Sequence, residues 1–145
     1  MALHLVKLCV GCDSIEDLAA WIDFRLAERR AAGLVAEQTH TTRMVPKRID
    51  ELLDGGSLYW VIKGNIQCRQ RFLDVRPFTD EAGIGRCHFV LEPKIVPTDW
   101  QPRRAFQGWR YLKADEVPRD ESAGKAGRAA LPAELRQELA ALGLL

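Results

Sequence analysis

From Ser57 to Val75 apolar and polar residues alternate. Leu58, Trp60, Ile62, Ile66, Cys68 and Phe72 hold even positions, with Gly64 and Gln70 among them. Tyr59, Lys63, Asn65, Gln67, Arg69 and Arg71 hold odd ones. A period of two is the signature of extended chain with one face on a core. The stretch therefore predicts one long strand, or two joined by a bend at Gly64-Asn65. Only Gln70 interrupts the apolar face; the odd face is polar and basic.

The pattern elsewhere is less regular. Leu3 to Gly11 reads as a first strand, with Val6, Leu8 and Val10 on one face. Ser14, with Asp17 three residues on, is a capping-box variant that starts a helix running to Arg30. Ile15, Leu18, Ala19, Ile22 and Leu26 fall in one stripe of that helix, Trp21 lies at its margin and Phe24 nearly opposite. Thr39–Val45 has the β-branched content of a second strand. Pro46 then opens a short helix ended by Gly55-Gly56. A loop carrying Pro77 leads to a strand over Arg86–Pro93, with Cys87, Phe89 and Leu91 toward the core, and Lys94 to Val96 extends the sheet. Thr98 to Lys113 reads as loop, dense in arginine and aromatic residues.

Beyond Pro118 the composition turns polar and rich in Gly and Ala, then a helix places Leu131, Leu135, Leu139 and Leu142 on one stripe. The expected organisation is one α+β domain over residues 1–118, a flexible linker over 119–130 and a C-terminal helix over 131–145. The domain is expected to hold a mixed, mostly antiparallel, barrel-like sheet of about five or six strands. The long N-terminal helix packs on that sheet.

A length of 145 residues with 47% hydrophobic and 28% charged positions describes ordinary globular material. The longest apolar runs are too short to cross a bilayer. No signal-peptide pattern is read at the N-terminus, and four cysteines without one point to free thiols in the cytoplasm. The net charge of +1 conceals a basic middle, with 13 basic against 8 acidic residues between Arg43 and Lys113.

The basic middle decides among the candidate chemistries. Cys9-Val-Gly-Cys12 has the spacing of a redox or metal pair, but Cys68 and Cys87 stand singly in separate strands, so neither zinc nor any cofactor is expected. His4, His40 and His88 show no metal-binding or triad spacing. No phosphate-binding glycine loop or serine elbow occurs, and no catalytic residue is assigned. On the odd strand face, Lys63, Arg69 and Arg71 can neutralise phosphate beside Tyr59. Downstream, Trp100, Arg103, Arg104, Trp109 and Arg110 interleave cations with rings, a mixture that suits stacking of bases and clamping of a backbone. The expected function is a non-catalytic module binding nucleic acid, RNA above all, or a modified nucleobase. Two alternatives stay open: a small enzyme acting on an anionic or nucleotide-like substrate, and a protein-interaction subunit. The latter would form a homodimer through Trp21, Phe24 or the C-terminal helix.

The blocks Leu3–Gly11, Asp54–Gly64, Arg69–Arg71 and Arg103–Leu112 resemble a small bacterial family known as domain of unknown function 1489, over roughly Met1 to Asp120. At a coarser level the element order resembles the PUA-like domains (PUA, ASCH and EVE). The short helix into a glycine pair at Arg48–Gly56, the run Lys63–Arg69 and the FQGWRYL block carry that likeness. It implies a small, mostly antiparallel barrel that binds RNA or modified bases. Gln67 stands where the ASCH pattern has an acidic residue, which speaks against the hydrolase activity known in that group.

Overall fold

The computed structural model describes residues 2–121; the expected helix over 131–145 lies outside the described residues, as does the linker from 122 on. In chain order the elements are β1 (Leu3–Leu8), α1 (Ile15–Ala31), β2 (Gln38–Thr42), α2 (Ile49–Leu53), β3 (Ser57–Ile62), β4 (Asn65–Thr79), β5 (Gly85–Leu91), β6 (Val96–Pro102) and β7 (Trp109–Lys113). The strands pair in the order β2-β5-β4-β3-β1-β7, and β6 adds to β4. All pairings are antiparallel except β1 with β3. The class is α+β, but the sheet stays open: β2 and β7 end it and do not pair with one another, so no barrel closes. No described helix is long and apolar enough to cross a membrane.

Local chemistry explains the boundaries. The Ser14 side chain accepts from the Asp17 amide at 3.1 Å, and Asp17 reaches back to the Asp13 amide at 2.9 Å. Together they satisfy one donor of the first turn of α1 and the amide just before its cap. Leu18, Ile22 and Leu26 of the expected stripe are buried. β3 and β4 join through Lys63 (φ 47°) and Gly64 (φ 80°), a two-residue turn with both residues left-handed that matches the twist of the flanking strands. The bend therefore falls one residue earlier than expected.

β4 is the spine of the sheet. Its first part pairs with β3 and β6, its second with β5. Pro77, expected in a loop, lies inside β4 opposite Cys87. The stretch expected as loop after Thr98 is instead largely β6 and β7.

The sheet carries a core on both faces, which the alternation did not predict. Leu5, Leu58, Trp60, Ile62, Cys68 and Phe72 join Leu18, Ile22 and Leu26 of α1 in the larger core. Val6, Tyr59, Val61, Ile66 and Leu112 form a smaller core on the opposite face, closed by Phe106 and Val117. Ile66 changes sides because the register slips between Ile66 and Cys68, bringing Ile66 opposite Val61.

Gln70 and His4 are buried polar groups with hydrogen-bond partners. Gln70, fully buried, accepts from Trp60 Nε1 (2.9 Å) and Gln38 Nε2 (3.0 Å) and donates to Gln38 Oε1 (2.6 Å) and the Glu92 carbonyl (3.0 Å). His4 Nδ1 accepts the Ser57 amide at 3.0 Å, which suits a neutral ring. Burial and then the Arg69 charge lower its pKa. His40 is held down to about 4 by burial and, secondarily, by Lys7.

Between the ordinary histidine value and about pH 4, the unfolded chain takes up protons that the folded chain refuses. The contribution is thus complete above the ordinary value and lost as pH falls, with His40 worth up to about 3 kcal/mol. Urea midpoints are expected to drop between pH 7.5 and pH 4.5, and His40→Phe is expected to flatten that slope. An unchanged slope in the variant would assign the acid lability elsewhere.

Candidate functional site

The residues expected to bind phosphate and bases do not form one surface. Tyr59 is 3% exposed, Trp100 6% and Trp109 4%, so none of these rings offers a face for stacking. Tyr59 meets His4 edge-on at 5.3 Å, and burial pushes its hydroxyl up to about 12. Trp109 lies on the α1 face of the sheet and donates through Nε1 to the Met44 carbonyl at 2.8 Å. They are core residues. For Tyr59 the physical reason is contact at long range: the chain at Phe106 and Val117 folds over the face that local periodicity leaves open.

Arg69 is also committed. Its guanidinium makes a bidentate pair with Asp120 (2.8 and 2.7 Å) and donates to Ser57 Oγ at 2.9 Å. The pair raises the arginine pKa and lowers that of Asp120. It also anchors residues expected to begin a linker: the Asp99 amide bonds the Arg119 carbonyl and the Glu121 amide bonds the Pro97 carbonyl, each at 2.8 Å. Arg69 therefore fastens the end of the described chain to the sheet, with its charge matched by a carboxylate.

The loop between β6 and β7 gives a different picture. The Arg103 amide is pinned to the Gly64 carbonyl at 2.9 Å, which sets the loop against the Lys63-Gly64 turn. Phe106 packs on the smaller core, and two guanidinium groups address its ring, Arg103 at 6.0 Å and Arg110 at 5.3 Å from the centroid. Arg110 Nη1 is oriented by the carbonyls of Gln107 (2.7 Å) and Trp109 (3.0 Å). Gly108, at φ 68°, supplies the left-handed step this loop needs.

Among the described residues, Arg103, Arg104 and Arg110 form no ion pair, whereas Arg48, Arg69, Arg76 and Arg86 each hold a carboxylate. Lys63 pairs with Asp13 at 3.8 Å, and Arg71 is exposed on the same face as Ser57. Of the expected residues, the fold thus brings Arg103 and Arg110 to the Phe106 ring, with Arg104 in the same loop and Lys63 in the turn to which the Arg103 amide is tied. Phe106 already stands among the rings that interleave with arginines in the sequence, and the fold makes it the ring that Arg103 and Arg110 share.

The CVGC pair does not have the setting of an activated thiol. Burial and a hydrogen bond that the Cys9 thiol gives to Cys12 raise the Cys9 pKa well above the usual thiol range, opposite to the shift a reactive thiolate requires. Cys9 and Cys12 instead border a cleft on the α1 side of the sheet, where Trp21 and Phe24 are 54% and 57% exposed and stacked at 6.2 Å.

The chain belongs to the family described as protein of unknown function (DUF1489), which matches residues 5–145. The match runs through the C-terminal segment, beyond the Asp120 limit expected from sequence blocks. Neither the curated proteins nor the solved structures yield a match.

Proposed function

We propose that this chain binds nucleic acid, single-stranded RNA foremost, through the loop between β6 and β7. The observation that carries this reading is the pair of guanidinium groups, Arg103 and Arg110, held over Phe106 without a carboxylate partner among the described residues. Arg110, oriented by backbone carbonyls, loses little further freedom when it meets an anion, and the planar fork of an arginine matches phosphate oxygens. Arg104, exposed in the same loop, and Lys63 in the neighbouring turn add positive charge. The reading keeps the basic loop of the sequence expectation and gives up Tyr59, Trp100, Trp109 and Arg69 as contacts. A PUA-like fold whose sheet is left open would fit it, and a cytoplasmic setting would supply the ligand.

Fluorescence anisotropy with a labelled single-stranded RNA tests the proposal. Affinity is expected to fall with salt at a log–log slope of about −0.7 per phosphate neutralised, hence about −2 for three arginines. Absence of binding at low salt would remove the reading.

A further inference from the structure

A cleft of about 1030 Å³ opens beside α1, on the side of the sheet opposite Phe106. Its walls include Trp60, on β3, and Trp21 and Phe24, on α1, while Lys7, Gln38 and His40 supply polar atoms. Two of those polar groups are left over by the fold. His40 Nε2 is buried without a hydrogen-bond partner among the described residues, although its ring is fixed edge-on against Trp60 at 5.2 Å. Lys7, half-buried, holds no carboxylate among the described residues.

The acids along the cleft do not serve as Lys7's partner: Asp17 is spent on the cap of α1, Glu37 on Arg76 at 2.9 Å, and Glu28 forms no ion pair among the described residues. Gln38, by contrast, is already engaged with Gln70. Buried polar atoms in folded proteins are nearly always satisfied, and one that is not, at a concave surface, calls for a partner from outside the chain, a water or a ligand atom.

The geometry points to a second binding site here, for a small molecule with a planar aromatic ring system and a compact anionic group. The exposed rings of Trp21 and Phe24 offer apolar walls for the planar part, and Trp60, itself buried, backs the cleft. Lys7 supplies a partly desolvated positive charge for the anion, and His40 Nε2 a fixed hydrogen-bonding atom beside it. Arg25, placed over Trp21 at 5.3 Å, adds positive charge at the mouth. This site lies apart from the arginine loop and does not depend on the nucleic-acid reading.

Two probes with that shared chemistry separate its sources: indole-3-acetate for an aryl carboxylate, and adenosine 5′-monophosphate for a nucleotide. Titration followed by tryptophan fluorescence and calorimetry is expected to give saturable binding of at least one, and the tighter of the two identifies the source. Lys7→Met is expected to weaken it about tenfold or more, the loss of one charge-assisted contact. Lys7→Arg should retain most of the affinity, and His40→Phe should weaken it without lowering the melting temperature at pH 7.5. The double variant Arg104→Glu, Arg110→Glu should bind the probe as the parent does. No saturable binding of either probe, parent-like binding by folded Lys7→Met and His40→Phe, or loss of probe binding in the arginine-loop variant would each overturn the assignment.

Discussion

Gly56→Ala is expected to be close to unfolded. Gly56 sits where the chain leaves α2 for β3, its amide bonded to the Leu52 carbonyl at 2.9 Å. A Cβ added there would collide with two backbone oxygens, those of Leu3 and Leu52, closer than carbon and oxygen approach in any folded chain. Neither oxygen belongs to a flexible side chain. Relief would require β1 or the end of α2 to move, and β1 is the central parallel partner of β3. The expected cost is about 4 kcal/mol or more, the exceptional end for single substitutions. Against a total stability of about 5–15 kcal/mol this is close to all that a small domain holds. Chemical denaturation of the variant checks it; a parent-like midpoint would mean the crossing at Gly56 is looser than described. Gly55→Ala makes a useful contrast, since a Cβ there meets nothing and only its positive φ, 85°, is disfavoured.

Gln70→Leu is expected to be the second most damaging change, at about 3 kcal/mol. The volume is nearly conserved, so the loss comes from the hydrogen bonds. Trp60 Nε1, both polar atoms of Gln38 and the Glu92 carbonyl all lose their partner on Gln70. Each buried group left unsatisfied costs about 1–3 kcal/mol, and solvent entering from the nearby cleft recovers part of it. Thermal melts report the loss. If Gln70→Leu together with Gln38→Leu restores stability, the pair serves only packing; if the double variant stays destabilised, the Trp60 indole and the Glu92 carbonyl are what the network secures.

Gln70 also shows where the sequence was legible and where it was not. The even face of Ser57–Val75 was readable because burial on one side of a strand imposes a period of two. That pattern located Leu58, Trp60, Ile62, Cys68 and Phe72 in the core and marked Gln70 as an exception without saying what it bonded. α1 was readable through its cap and its stripe.

Three kinds of feature were not. The turn at Lys63 needs a left-handed non-glycine residue, which is uncommon, so Gly64-Asn65 was the more natural bend. Pro77 inside β4 and the strands β6 and β7 lack alternation, and pairing across the sheet defines them instead. The polar odd face was read as open to solvent because its covers come from far along the chain: Asp120 stands 51 residues from the Arg69 it holds. Local periodicity reports which side of a strand is apolar, not what later chain will close over the other side. The same limit hid the cleft, whose polar atoms come from β1 and β2, far apart in sequence.

The arginine cluster is tested most directly by charge reversal at its two exposed members, Arg104→Glu in the loop with Arg110→Glu in β7, measured against single-stranded RNA at low salt. Arg69→Glu is a poor probe, because it breaks the Asp120 pair and reads out stability along with binding. The exposed arginines touch no carboxylate among the described residues, but Arg110 donates to two carbonyls and covers Phe106, so the double variant is expected to lose about 1–2 kcal/mol and remain folded. Its RNA affinity is expected to fall at least about 100-fold, the equivalent of about 1.4 kcal/mol for each reversal. A double variant that stays folded and binds RNA as tightly as the parent would contradict the assignment of the β6–β7 loop as the nucleic-acid contact.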